Sequence, residues 1–120
     1  MTFYISITGL RVKSIWHLPQ FAYHASQSMK QAQQANGNVS ARGNYKDGVH
    51  HTLSVWKDRN SMVRYMASGA HAQAMKMANA FSAPNGIQVY GYESDTIPSW
   101  EHALYLWNER GMRHGKVISR

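Results

Sequence analysis

The chain contains no cysteine. That excludes disulfides, thiolate metal centres and cysteine nucleophiles, and it agrees with a cytoplasmic setting. Acids are scarce: six aspartates and glutamates stand against thirteen lysines and arginines in 120 residues. A hydrolase that works with two paired carboxylates is therefore hard to assemble. No apolar run is long enough to cross a bilayer. The first residues, MTFYISITGL, read as a strand and lack the basic, apolar and small-residue regions of a signal peptide. The glycine signatures of phosphate loops, dinucleotide folds and serine hydrolases are absent as well.

Aromatic residues and methionines are plentiful, with seven Tyr, four Trp, three Phe and seven Met, alongside seven histidines. The net charge is +7. A basic balance points toward nucleic acid, anionic ligands or acidic surfaces. The charges are scattered, however, and the nearest approach to a basic run is residues 110–120. No stacking platform or recognised motif supports nucleic-acid reading.

Residues 3–12 alternate, with Phe3, Ile5 and Ile7 on one side and Tyr4, Ser6 and Thr8 on the other, which predicts a strand. Pro19 suits a helix start. Leu18, Phe21, Ala22, Ala25, Met29 and Ala32 then form the apolar stripe of a first helix, which Asn36-Gly37 ends. Residues 39–45 form a polar edge strand. Asp47-Gly48 centres a hairpin, and residues 51–56 return, with Leu53 and Val55 opposite Thr52, Ser54 and Trp56. Asp58 caps a second helix that breaks at Ser68-Gly69. Residues 83–86 read as a turn, and residues 87–93 as a last strand. Ser99 opens a closing helix with Trp100, Ala103, Leu104 and Trp107 on its stripe, and Gly111 ends it.

The order β-α-β-β-α-β with a C-terminal helix is the ferredoxin-like α+β arrangement. We read residues 1–111 as one domain and residues 112–120 as a basic, frayed tail. Both helices on one sheet face leave the other face bare, and a second copy can cover it, giving a homodimeric barrel. The closing helix either exchanges between copies or covers its own sheet.

The stretch TLSVWKDRNSMVRYMASGAHAQAM, residues 52–75, resembles the strand-turn-helix of the antibiotic-biosynthesis-monooxygenase-like dimeric α/β-barrel proteins. Within that group it is nearest to uncharacterised bacterial proteins related to spheroidene monooxygenase. The resemblance implies a pocket between sheet and helices, and relatives that include cofactor-independent oxygenases of quinol-type substrates, haem-degrading enzymes and haem-binding proteins. In the haem-degrading branch an axial histidine lies about ten residues past an aromatic residue. Counted from Tyr65, that place falls on Met75, with His71 one turn earlier.

Several residues are candidates for the pocket. A neutral imidazole at His71 can act as a base or ligate iron; its structural alternative is capping the broken turn. Met75 shares its helix face, although core packing is the commoner fate of a helical methionine. Trp56 and Tyr65 suit a flat aromatic ligand, or simply pack. Arg59 suits a ligand carboxylate, or a solvated face. His50 and His51 point to opposite faces and cannot chelate together, and His17 and His24, seven apart, make a poor chelate. No metal site is expected beyond His71 or Met75 should haem bind. Three readings stand: a small monooxygenase acting on a flat hydrophobic quinol or polyene, a haem- or pigment-binding dimer, and a basic nucleic-acid or scaffold partner.

Overall fold

The computed structural model describes residues 2–113. Strands β1 (Phe3–Val12), β2 (Asn38–Lys46), β3 (Val49–Trp56), β4 (Ser82–Ser94) and β5 (Met112–Arg113) form one sheet in the order β2-β3-β1-β4-β5. All its pairings are antiparallel. Helix α1 (Leu18–Gln34) follows a one-turn 3₁₀ helix (Ile15–His17). The second helical segment is two helices, α2 (Arg59–Met66) and α3 (Gly69–Phe81), and α4 (Trp100–Arg110) follows β4. This is the ferredoxin-like α+β fold with an added C-terminal helix.

Local chemistry accounts for the joints. Asp47 and Gly48 both have positive φ, 53° and 81°, the two-residue turn that joins β2 to β3. Asp58 accepts the Ser61 N–H at 2.8 Å and opens α2. Ser99 does the same for His102 at 3.2 Å and opens α4.

The sheet separates two environments. Ile5 faces Val55 and Tyr92 across the ladder, and Ile7 faces Leu53 and Tyr90. These side chains pack with Ala103, Trp100 and Trp107 of α4. Ile5, Ile7, Leu53 and Val55 are all 0% exposed, each stabilising the fold by roughly 1.5–3 kcal/mol. The face expected to stay bare for a second copy is therefore covered by the chain's own closing helix. Trp107 anchors it: Nε1 donates to the Gln88 carbonyl at 2.7 Å, and Gln88 Nε2 donates back to the Trp107 carbonyl at 2.8 Å. Gly9 makes the close approach feasible, since a Cβ there would overlap the Trp107 ring.

Helices α1, α2 and α3 cover the opposite face. There Ala32, Ala41, Trp56 and Met62 form a second buried cluster, with Tyr4, Met29 and Tyr65 against it.

Three boundaries differ from expectation. β4 begins at Ser82, directly after α3, and residues 83–86 bulge within it. Pairing runs from Leu10↔Ile87 to Val12↔Ser82, and the Lys13 N–H bonds the Phe81 carbonyl at 2.7 Å, so the ladder resumes beyond the bulge. α1 ends at Gln34, and the left-handed residue of the following turn is Gly37 (φ 86°), whose carbonyl holds the Lys57 N–H at 2.8 Å. Met112 and Arg113, expected to fray, pair with Val89 and Gln88 instead. The rest of the expected tail, residues 114–120, lies outside the described residues.

Candidate active site

Between the sheet and helices α1, α2 and α3 lies a cavity of about 670 Å³. It exists because the sheet residues on this side are small: Ser6, Thr8, Thr52, Ser54 and Gly91 line the floor. The opposite wall carries methionines and aromatics, among them Phe21, Met29, Tyr65, Met75 and Phe81. None of the lining residues is Asp, Glu, Lys or Arg. Only imidazoles there can carry charge near neutral pH.

The expected site residues separate into two groups. Tyr65, His71 and Met75 all line the cavity. Trp56 does not reach it. It is 0% exposed, packs behind Tyr65 with ring centroids 5.1 Å apart, and donates its Nε1–H to Ser54 Oγ at 2.9 Å. Arg59, the first residue of α2, is exposed and is not part of the lining. The first residue of a helix capped from the solvent side points outward, away from the floor.

His71 sits in the first turn of α3. Its ring lies 4.6 Å from that of Tyr65, and its Nδ1 is 3.3 Å from the Met66 carbonyl. A carbonyl only accepts, so Nδ1 is the donor and the neutral ring's lone pair falls on Nε2. Tyr65 donates its hydroxyl to the Ser28 carbonyl at 3.1 Å, and burial pushes its pKa upward. It stays a neutral phenol. Ser28 also lines the cavity, but its hydroxyl oxygen is fully buried and makes no hydrogen bond among the described residues.

Three further histidines, His24, His50 and His51, are among the lining residues. His50 packs between Phe21 and Tyr45, at 4.5 and 4.6 Å, and burial lowers its pKa. His24 stacks on Phe81 at 5.7 Å. Both positions follow from periodicity: His50 has the parity of Thr52 and Ser54, and His24 lies one turn beyond Phe21. His51 takes the other face, its ring 4.6 Å from Trp107 and its Nδ1 3.1 Å from the Thr8 carbonyl. No group of three His, Asp or Glu among the described residues is placed to hold a metal ion.

The lining tests haem directly. His71 is the histidine of the α3 wall. Carboxylates such as haem propionates pair well with guanidinium or ammonium groups, and the lining has none. The lining would offer haem an imidazole and apolar contacts, with no cation for its propionates.

No family model matches the chain, and no curated protein does. Solved structures do. A conserved protein from Methanosarcina mazei Go1 superposes with a TM-score of 0.68 at 12% identity, covering 77% of this chain and 92% of that one. A Nitrosomonas europaea protein, provisionally named an antibiotic biosynthesis monooxygenase, gives 0.70 at 12% identity, covering 81% and 94%. Another structure, named as an antibiotic biosynthesis monooxygenase, gives 0.64 at 11%, covering 79% and 99%. At such identities the likeness establishes the fold: this chain has the architecture of the antibiotic-biosynthesis-monooxygenase-like proteins.

Proposed function

We propose that the protein is a small monooxygenase that oxidises a flat, uncharged, phenol- or quinol-like molecule without a bound cofactor. The observation that carries this reading is a cavity of about 670 Å³, apolar and aromatic, with no fixed charge and an imidazole base at its wall. That size suits a drug-sized or multi-ring ligand. His71 Nε2 removes the proton that activates a ring CH₂ or phenol. The imidazolium that forms lies against the Tyr65 ring, which stabilises a cation at 4.6 Å. The substrate anion gives an electron to dioxygen, and recombination forms a C–O–O bond at that carbon. Proton return from His71 yields a hydroperoxide. Loss of water leaves a carbonyl: CH₂ and O₂ become C=O and H₂O, with one oxygen atom in each product. Tyr65 and Met75 orient the ring system.

The names carried by fold neighbours support this reaction class, as does the resemblance of residues 52–75. The homodimer belongs to the same reading with altered geometry. With α4 seated on the sheet face, two chains pair through that face only by exchanging the helix, and sedimentation of a chain truncated before Trp100 would reveal it.

Oxygen uptake with anthrone- and naphthalenediol-type substrates tests the proposal. His71→Ala, with far-UV circular dichroism unchanged, should lower kcat by about 10²–10⁴-fold. Full activity in that variant would remove His71 from the reaction. Absence of oxygen uptake with any neutral quinol, alongside saturable binding, would make the protein a carrier instead.

A further inference from the structure

Four large apolar side chains crowd the segment that joins β1 to α1. Trp16 is 84% exposed, Ile15 70%, Tyr23 63% and Leu18 39%. Ile15 and Trp16 occupy the 3₁₀ turn, and Leu18 is the first residue of α1. The turn is held firmly. The Lys13 N–H bonds the Phe81 carbonyl at 2.7 Å, Lys13 Nζ reaches the Asn79 carbonyl at 3.2 Å, and Ser14 Oγ meets His17 Nδ1 at 2.8 Å. These apolar groups therefore project from a hydrogen-bonded turn. Arg11 and Lys13, both exposed, stand just before them. Residues 1–46 contain five basic residues (Arg11, Lys13, Lys30, Arg42 and Lys46) and no aspartate or glutamate.

We propose that this surface docks on an anionic lipid bilayer, with Ile15, Trp16 and Leu18 in the headgroup layer and Arg11 and Lys13 on the phosphates. The chemistry matches on both counts. Tryptophan and short apolar side chains settle at the water–lipid boundary, and neighbouring cations add attraction to acidic lipid. A second copy of the chain fits poorly. A two-fold contact sets a patch against itself, which would bring Arg11 and Lys13 beside their own copies with no carboxylate from this segment to pair them. Phe21 lies one turn beyond Leu18, the Phe81 carbonyl accepts from the Lys13 N–H, and both line the cavity. The docking surface and the cavity thus share a neighbourhood of the fold. The docking surface does not depend on the reaction assigned to the cavity.

Flotation of the purified full chain with phosphatidylcholine vesicles, with and without phosphatidylglycerol, tests it. Binding should require phosphatidylglycerol and weaken as salt rises. Trp16→Ser should reduce partitioning at least about tenfold, and Ile15→Asp should do the same, both with unchanged circular dichroism because these side chains pack on little else. Lack of flotation would overturn the proposal, as would flotation that neither variant alters or that salt does not affect. A two-chain mass in sedimentation that reverts in Trp16→Ser, without flotation, would assign the patch to self-association and overturn it equally.

Discussion

Replacing Gln31 with leucine tests how the candidate base is held. The Gln31 carboxamide reaches from α1 to the break between α2 and α3. Its Nε2 donates to the Tyr65 carbonyl at 3.1 Å and to the Ser68 carbonyl at 2.8 Å, and its Oε1 accepts the His71 N–H at 2.7 Å. That N–H is one of the donors a helix start leaves without an intrahelical partner. Ser68, at the N-cap, makes no side-chain cap; its hydroxyl is turned instead to the Arg64 carbonyl, to which it donates at 3.0 Å. Gln31 thus caps α3 from a different helix. Gly69, at φ 59°, leaves it space: a Cβ there would stand 3.2 Å from Gln31 Cδ. A lost cap costs about 1 kcal/mol. The two remaining bonds contribute about 0.5–1.5 kcal/mol each, less here because the joint is partly open to water. The expected loss is about 1–3 kcal/mol, read as a lower urea midpoint at constant slope. Native-state hydrogen exchange at the His71 amide should accelerate about ten- to a hundredfold, since every 1.4 kcal/mol is tenfold. Gln31→Glu separates the roles. Its carboxylate still accepts from His71 but donates to neither carbonyl, so exchange at His71 should stay slow while stability falls. If Gln31→Leu leaves His71 exchange unchanged, the capping argument fails.

Burial lowers the pKa of His50 and His51 from 6.5. Between those lowered values and 6.5 the unfolded chain binds more protons than the folded one. Stability is therefore full above about pH 6.5 and declines as pH falls through the folded values; urea midpoints measured along an acid series should show this, and a rise on acidification would contradict it. Ser54→Ala leaves the buried Trp56 N–H without its acceptor and should cost about 1–3 kcal/mol in urea unfolding, with no such loss if Trp56 is also changed to Phe. Gly9→Ala drives a methyl into the Trp107 ring, which its bond to Gln88 holds in place. It should destabilise by about 1–3 kcal/mol, and most of that cost should disappear in a Trp107→Ala background if α4 docks as described, with the His51 ring at 3.0 Å the remaining contact.

Strand parity was legible in the sequence because each strand divides two environments. The alternation of Ile5 and Ile7 with Tyr4, Ser6 and Thr8 holds residue by residue. So does the opposition of Leu53 and Val55 to Ser54 and Trp56. The helix break at Ser68-Gly69 was legible for the same local reason, a glycine at positive φ. What covers a sheet face is a tertiary matter. The stripe of Trp100, Ala103 and Trp107 showed that α4 buries something. Only the reciprocal Gln88–Trp107 pair and the bare Gly9 show that it buries its own sheet.

The site was legible where one side chain decides its own placement and obscure where neighbours decide. His71 and Met75 share a helix face, and both reach the cavity. Trp56 has the correct parity for the floor, yet Tyr65 covers it and Ser54 takes its N–H, so the ring becomes the support of the wall. Arg59 illustrates the converse. In a chain of net charge +7, an arginine near the pocket is an attractive anchor for an acidic ligand. Desolvating it without a carboxylate would cost several kcal/mol, and only six acids exist to pair with thirteen cations. The cations therefore stay outside, and the interior is left to groups that can be neutral. The polar side chains of the lining are hydroxyls, an amide and imidazoles. Burial there works against a charged imidazole, as the lowered pKa of His50 shows, so a proton taken from a substrate is held on the ring only by the anion it leaves behind. The scarcity of acids thus leaves the cavity wall without fixed charge, which favours a neutral ligand.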